Sequence, residues 1–160
     1  MIPLLDISRT HSGLETEIES ALAEVFRSGR YILGPEVAAF EEEVASWLDV
    51  PQAVGVSSGT DALVAALQAL GVGPGDEVIT TPFTFIATAD AVLRLGGIPC
   101  FADVEPGTLN LDPAQIEDAI TGRTVGILPV HLFGQCADMD GIQAVAERHG
   151  LWVLEDVAQA

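Results

Sequence analysis

The sequence contains no lysine. Its six basic residues are all arginines (Arg9, Arg27, Arg30, Arg94, Arg123 and Arg148), set against 24 acidic residues for a net charge of −18. A lysine-free chain cannot form a Schiff base through its own side chains. A surface this acidic disfavours nucleic acid and anionic membranes as partners. Cysteine is scarce as well: Cys100 and Cys136 have no metal-type spacing, so both read as buried, reduced thiols. No apolar run is long enough to span a bilayer. The opening Met1-Ile-Pro-Leu-Leu-Asp6 lacks the basic segment of a signal peptide, which makes the cytoplasm the expected compartment. Neither Gly-x-Gly-x-x-Gly nor the Gly-Lys-Ser/Thr ending of a Walker loop occurs, which disfavours a Rossmann or P-loop nucleotide site.

What is present is a regular alternation. With 49% hydrophobic residues over 160 positions, the chain can bury a real core. Ser12-x-x-Glu15 has capping-box spacing, and Leu14, Ile18, Leu22 and Val25 then recur at helical intervals to about Ser28. After a loop, Pro35 suits the first turn of a second helix bearing Val37, Phe40, Val44 and Trp47 on one face. These two helices form an N-terminal segment, 1–51, expected to pack on a larger domain, 52–160. In that domain short apolar runs at 53–56, 77–80, 98–102, 125–130 and 151–154 read as strands. Helical stretches at 60–70, about 86–95, 113–120 and 139–148 lie between them. Gly71, Gly96 and Gly150 follow helix ends, and Asp112-Pro113 and Asp138 are suitable starts. The pattern is that of an α/β fold, a mostly parallel sheet flanked by helices on both faces.

Three places could carry chemistry. Val56-Ser57-Ser58-Gly59-Thr60-Asp61 is a strand-loop-helix junction whose free amides suit a phosphate dianion. It equally suits an ordinary cap in which Ser58 or Thr60 satisfies orphan amides, and both readings stand. Phe83 and Phe85, after the strand at 77–80, could stack on a planar ligand, although core packing is the commoner use of either. Glu155-Asp156-x-x-Gln159 ends the last strand, where open α/β sheets place their ligands. A buried carboxylate there can keep a pyridine nitrogen protonated, because an opposite charge raises the pKa of the base. His131 reads as a hydrogen-bonded strand-end histidine in preference to a base, and His11 and His149 as surface residues.

In this order the motifs resemble the DegT/DnrJ/EryC1/StrS family of sugar aminotransferases. The segments that carry the likeness are Gly29-Arg-Tyr-Ile-Leu-Gly-Pro-Glu36, Ser57-Ser-Gly-Thr-Asp-Ala-Leu63, Gly73-Pro-Gly-Asp-Glu-Val-Ile79, Pro82-Phe-Thr-Phe-Ile-Ala-Thr88, Val130-His-Leu-Phe-Gly-Gln135 and Glu155-Asp-Val-Ala-Gln-Ala160. The resemblance implies the large domain of a pyridoxal-phosphate-dependent transferase of fold type I, truncated at its C-terminal side. It implies that Ser58, Gly59 and Thr60 hold the cofactor phosphate, that Phe85 stacks on the ring, that Asp156 pairs with the ring nitrogen and that Gln159 lies near the phenolic oxygen. Val157 stands where the family more often has a small residue. Members move an amino group, usually from glutamate, to a nucleotide-linked keto-sugar for polysaccharide or antibiotic pathways, and act as homodimers. Their Schiff-base lysine lies beyond the Glu-Asp motif, past Ala160, so the chain alone is expected to be inactive. Relatives with histidine in place of that lysine are sugar dehydratases. A non-catalytic, cofactor-responsive regulatory or interaction module is the alternative from another functional class.

Overall fold

The computed structural model describes residues 6–160, which fall into two compact units, Met1–Gly55 and Val56–Ala160. The first unit holds helices α1 (Glu15–Ser28) and α2 (Pro35–Trp47). The capping box does not form. Gly13 has φ +90°, a left-handed backbone that cannot belong to a first helical turn. α1 therefore starts after it, with Leu14 at the N-cap, and Glu15 Oε2 accepts the Gly13 N–H at 2.8 Å. No residue of either helix is buried; Leu22 is 65% exposed and Trp47 84%. The expected strand at 53–56 is also absent. An apolar run becomes a strand only when a neighbour supplies a hydrogen-bonded ladder, and no described strand pairs with it.

The second unit is a four-stranded sheet of β1 (Glu77–Thr80), β2 (Ile98–Phe101), β3 (Thr124–Leu128) and β4 (Trp152–Val153). The strand order is β2-β1-β3-β4 and every pair is parallel. Successive side chains face opposite sides, and each side has its own core. Val78 and Leu128 pack with Leu63 and Leu67 of α3 (Gly59–Ala69) and with Val92 of α4 (Ala87–Arg94). Ile79 and Ile127 pack on the other face with Ile116 of α5 (Pro113–Ala119) and with Ile142 and Val145 of α6 (Met139–His149). Each fully buried aliphatic side chain contributes roughly 1.5–3 kcal/mol. Cover on both faces explains why β1 is buried at every position and reads as a continuous run instead of an alternation.

The helix punctuation holds. Asp112 Oδ1 accepts from the Ala114 N–H at 2.9 Å and Asp138 Oδ1 from Gly141 at 3.1 Å. Gly150 closes α6 at φ +65°. At the start of β1 the buried Glu77 carboxylate accepts from Thr121 Oγ1 and from the Arg123 guanidinium. The Thr121 hydroxyl, more than Arg123, holds that carboxyl below its usual range against the opposing push of burial. The cysteines depart from expectation: Cys100 is half-buried, with burial pushing its thiol up, while Cys136 is exposed on the loop before α6.

Gly126 is the register partner of Trp152, and the indole lies across it: a Cβ at Gly126 would meet the fused ring atoms at 2.1–2.3 Å. The missing side chain is what lets a tryptophan sit on the adjoining strand. Gly126→Ala should lower stability by about 1–3 kcal/mol, the cost of overpacking a filled core. Denaturant unfolding checks it, and an unchanged midpoint would show that Trp152 can move aside.

Candidate functional site

Beyond Leu128 and Val153 the regular ladder stops, but the two chains stay paired through a parallel bridge between Val130 and Asp156. The Asp156 N–H donates to the Pro129 carbonyl at 2.9 Å, and the His131 N–H donates to the Asp156 carbonyl at 3.0 Å. These bonds fix the backbone of Asp156 at the carboxyl end of the sheet. Its side chain is buried. Oδ2 accepts from Thr88 Oγ1 at 2.8 Å, and Oδ1 from the Ala158 N–H at 3.2 Å. Thr88, on α4 and itself buried, also lies 3.0 Å from Thr84 Oγ1.

Glu155 takes a different partner. Its Oε2 is 2.7 Å from Nε2 of the buried His131. His131 Nδ1 accepts the Ala137 N–H at 3.1 Å, so the ring proton sits on Nε2 and is donated to Glu155. This is the hydrogen-bonded strand-end histidine expected. The adjacent loop is braced by Asn110, whose Nδ2 donates to the Gln135 carbonyl and whose Oδ1 accepts the Leu132 N–H, each at 2.9 Å. His11 and His149 are exposed, as expected.

Ser58 is the N-cap of α3, its Oγ accepting the Asp61 N–H at 3.1 Å. Asp61 Oδ2 in turn accepts from the hydroxyls of Ser57 and Ser58. The serine side chains are thus engaged with Asp61. The amides of Gly59 and Thr60 occupy the first two helical positions, where no intrahelical acceptor exists. The cap reading and the anion-site reading of this junction are therefore compatible: the hydroxyl caps, and the amides remain available.

Gly59, Thr60, Phe85, Asp156 and Gln159 line one cleft of about 290 Å³, together with Thr84 and apolar neighbours such as Leu63 and Leu132. Four of the expected contacts and the ring acid thus come together across more than ninety positions of sequence, whereas the Ser58 side chain serves the cap. Phe85 is 70% exposed and Phe83 45%, so neither is a core residue. Phe83 packs edge-on to Phe133, with centroids 6.2 Å apart. Sequence reasoning missed Thr88 and Asn110. Thr84 and Thr88 stand four apart, the spacing that places two side chains on one side of a helical turn, which was the available signal for the first. Asn110 had none. Among the described residues no cluster could hold a metal ion, and no helix is long and apolar enough to cross a membrane.

Residues 13–160 match the model of the DegT/DnrJ/EryC1/StrS aminotransferase family, and the chain belongs to that family. It is 52% identical over 159 residues to a pleiotropic regulatory protein of Geobacillus stearothermophilus, across 99% of this chain and 43% of that protein. It is 46% identical over 160 residues to the UDP-2-acetamido-2-deoxy-3-oxo-D-glucuronate aminotransferase of Pseudomonas aeruginosa, across 100% of this chain and 45% of that enzyme. The crystal structure of NtdA from Bacillus subtilis with bound cofactor PMP superposes with a TM-score of 0.95 at 42% identity, across 99% of this chain and 37% of that one. The expected fold class is borne out, and pyridoxal phosphate is the cofactor of the family. The chain spans less than half the length of the relatives it matches.

The hydroxyls of Ser57 and then Ser58 hold the Asp61 carboxyl below the usual carboxylate range. A carboxyl lowered in the folded state stabilises above its ordinary pKa, and that contribution disappears as pH falls through the folded value. Ser57→Ala should raise the Asp61 pKa toward the ordinary value and narrow this acid-side dependence. A carboxyl-carbon NMR titration of both proteins measures it; identical Asp61 curves would contradict the assignment.

Proposed function

We propose that this chain is the N-terminal, cofactor-binding part of a cytoplasmic, homodimeric aminotransferase that moves an amino group from glutamate to a nucleotide-linked keto-sugar. The observation that carries the reading is the buried Asp156 carboxylate at the end of the sheet, in one cleft with the Gly59 and Thr60 amides, Phe85 and Gln159. Family membership and an enzyme relative that acts on a UDP-linked 3-oxo sugar support the same class.

The residues present fit pyridoxal phosphate by the chemistry of their donors. The first amides of α3 are donors at a helix N-terminus, where an anion gains roughly 0.3–2 kcal/mol from the dipole in addition to its hydrogen bonds. Phe85 offers an exposed ring face to a planar ligand. Asp156 accepts at both oxygens and each retains lone-pair capacity, so it can hold a proton on a ring nitrogen. Gln159 can donate to a phenolic oxygen. The wall of Leu63, Val130 and Leu132 limits water beside the ring and strengthens the charge pairing. When bound, the cofactor supplies an electron sink for bond breaking at the substrate carbon. Asp156 contributes by keeping the sink's nitrogen protonated, and the phosphate and ring contacts hold it in register. The 160 residues contain no lysine, so proton transfer at the reacting carbon falls to a group outside them. By themselves they would bind the cofactor weakly and without turnover.

A regulatory module remains a second reading, favoured by the 52% identity to a protein named for pleiotropic regulation. Absorbance titration of the chain with pyridoxal phosphate tests the main reading. Weak, reversible binding is expected, with no borohydride-fixed label on any internal side chain. Asp156→Asn should weaken binding at least tenfold, since a hydrogen bond to a charged group is worth about 1.5–3 kcal/mol. Unchanged affinity in that variant, or a fixed internal label, would overturn the reading.

A further inference from the structure

The carboxylate that faces the cleft is itself held by a second residue. Thr88 Oγ1 donates to Asp156 Oδ2 at 2.8 Å. A threonine has one hydroxyl proton, so once it points at Asp156 the Thr88 oxygen can only accept from Thr84, 3.0 Å away. Thr84 must then be the donor in that pair, and it lines the cleft with its lone pairs alone. Direction therefore runs one way, from Thr84 to Thr88 to Asp156. The Ala158 N–H donates to the other carboxylate oxygen. Every described contact to the Asp156 side chain is a donor, and the Thr84 and Asp156 side-chain oxygens, both on residues that line the cleft, can meet a ligand only as acceptors. Thr88 is 1% exposed and Asp156 8%, so water does not substitute readily for the lost donor if the hydroxyl is removed.

We propose that Thr88 is a positioning residue for the cofactor ring, acting through Asp156: its hydroxyl, oriented by Thr84, fixes the carboxylate as an acceptor so that the cleft selects a ring nitrogen that carries a proton. The inference rests on the cofactor reading above and assigns a role to a residue that the ligand does not touch. A structural role alone, in which Thr88 merely joins α4 to the end of the sheet, predicts lower stability on substitution but no change in the protonation of a bound ring.

The test uses pyridoxamine 5′-phosphate labelled with nitrogen-15 in the ring, which needs no lysine to bind, added to the 160-residue chain. The wild-type chain should show the resonance of a protonated ring. Thr88→Val, which keeps the shape and removes the hydroxyl, should move it toward the neutral-pyridine position at the same pH and weaken binding roughly tenfold. Thr88→Ser should restore both. Thr88→Ala replaces the valine variant should that protein not fold. A wild-type resonance and affinity in Thr88→Val, or a serine variant that behaves like valine, overturns the proposal. Asp156→Asn separates the two levels: if it shifts the resonance and Thr88→Val does not, the positioning role fails while the cofactor reading stands. If neither shifts it, or the wild-type chain binds no pyridoxamine phosphate, both fall.

Discussion

The site depends on two main-chain hydrogen bonds that continue the β3–β4 pairing past the end of the regular ladder, Asp156 N–H to Pro129 and His131 N–H to Asp156. Each is worth only about 0.5–1.5 kcal/mol net. Their importance lies in register, because side chains alternate along an extended chain and a slip of one residue exchanges the sides. Glu155 and Asp156 are consecutive carboxylates with different partners. In the observed register Glu155 meets His131 and Asp156 meets Thr88 and the cleft. The opposite register would put the longer side chain toward the cleft and leave a buried imidazole proton without an acceptor. The two-sided core holds β3 in place, with Leu128 on one face and Ile127 on the other, and so keeps the acids in their separate roles.

Much of this was legible in the sequence because the physics concerned is local. Apolar runs of four or five residues between capped helices could scarcely form anything except a parallel sheet, and Asp112, Asp138 and Gly150 act as their types suggest. The failures share a cause: they depend on partners distant in sequence or on backbone geometry that composition does not express. Residues 53–56 have the apolar content of a strand but no paired neighbour among the described residues. Ser12 and Glu15 have capping spacing, yet the left-handed Gly13 between them forbids the turn. In the site, Asp156, Gly59 and Phe85 were identifiable from motif order. For Thr88 the four-residue spacing from Thr84 was the sole hint, because the carboxylate it serves is 68 positions away.

The acidity of the chain sits awkwardly with a phosphorylated ligand until its location is considered. Of the described residues that line the cleft, only Asp156 is charged, and its proposed partner is a protonated nitrogen. Asp61, in the first turn of α3, has hydroxyl donors from Ser57 and Ser58 on one oxygen, and Glu155 is paired with His131. On the proposed reading the phosphate would face the Gly59 and Thr60 amides. A net charge of −18 is thus a property of the surface more than of the site. It slows the approach of an anion, an effect that added salt relieves.

The chain has two tryptophans, and each compact unit contains one. Trp47 ends α2 in the first unit, 84% exposed, while Trp152 lies over Gly126 in the sheet of the second and is partly shielded. Intrinsic fluorescence therefore carries one reporter per unit. Trp47 emits from water and is open to collisional quenchers; Trp152 emits from an apolar surface on the strand whose continuation carries Asp156. The sequence thus supplies two optically distinct probes, one for each compact unit, without a label being added.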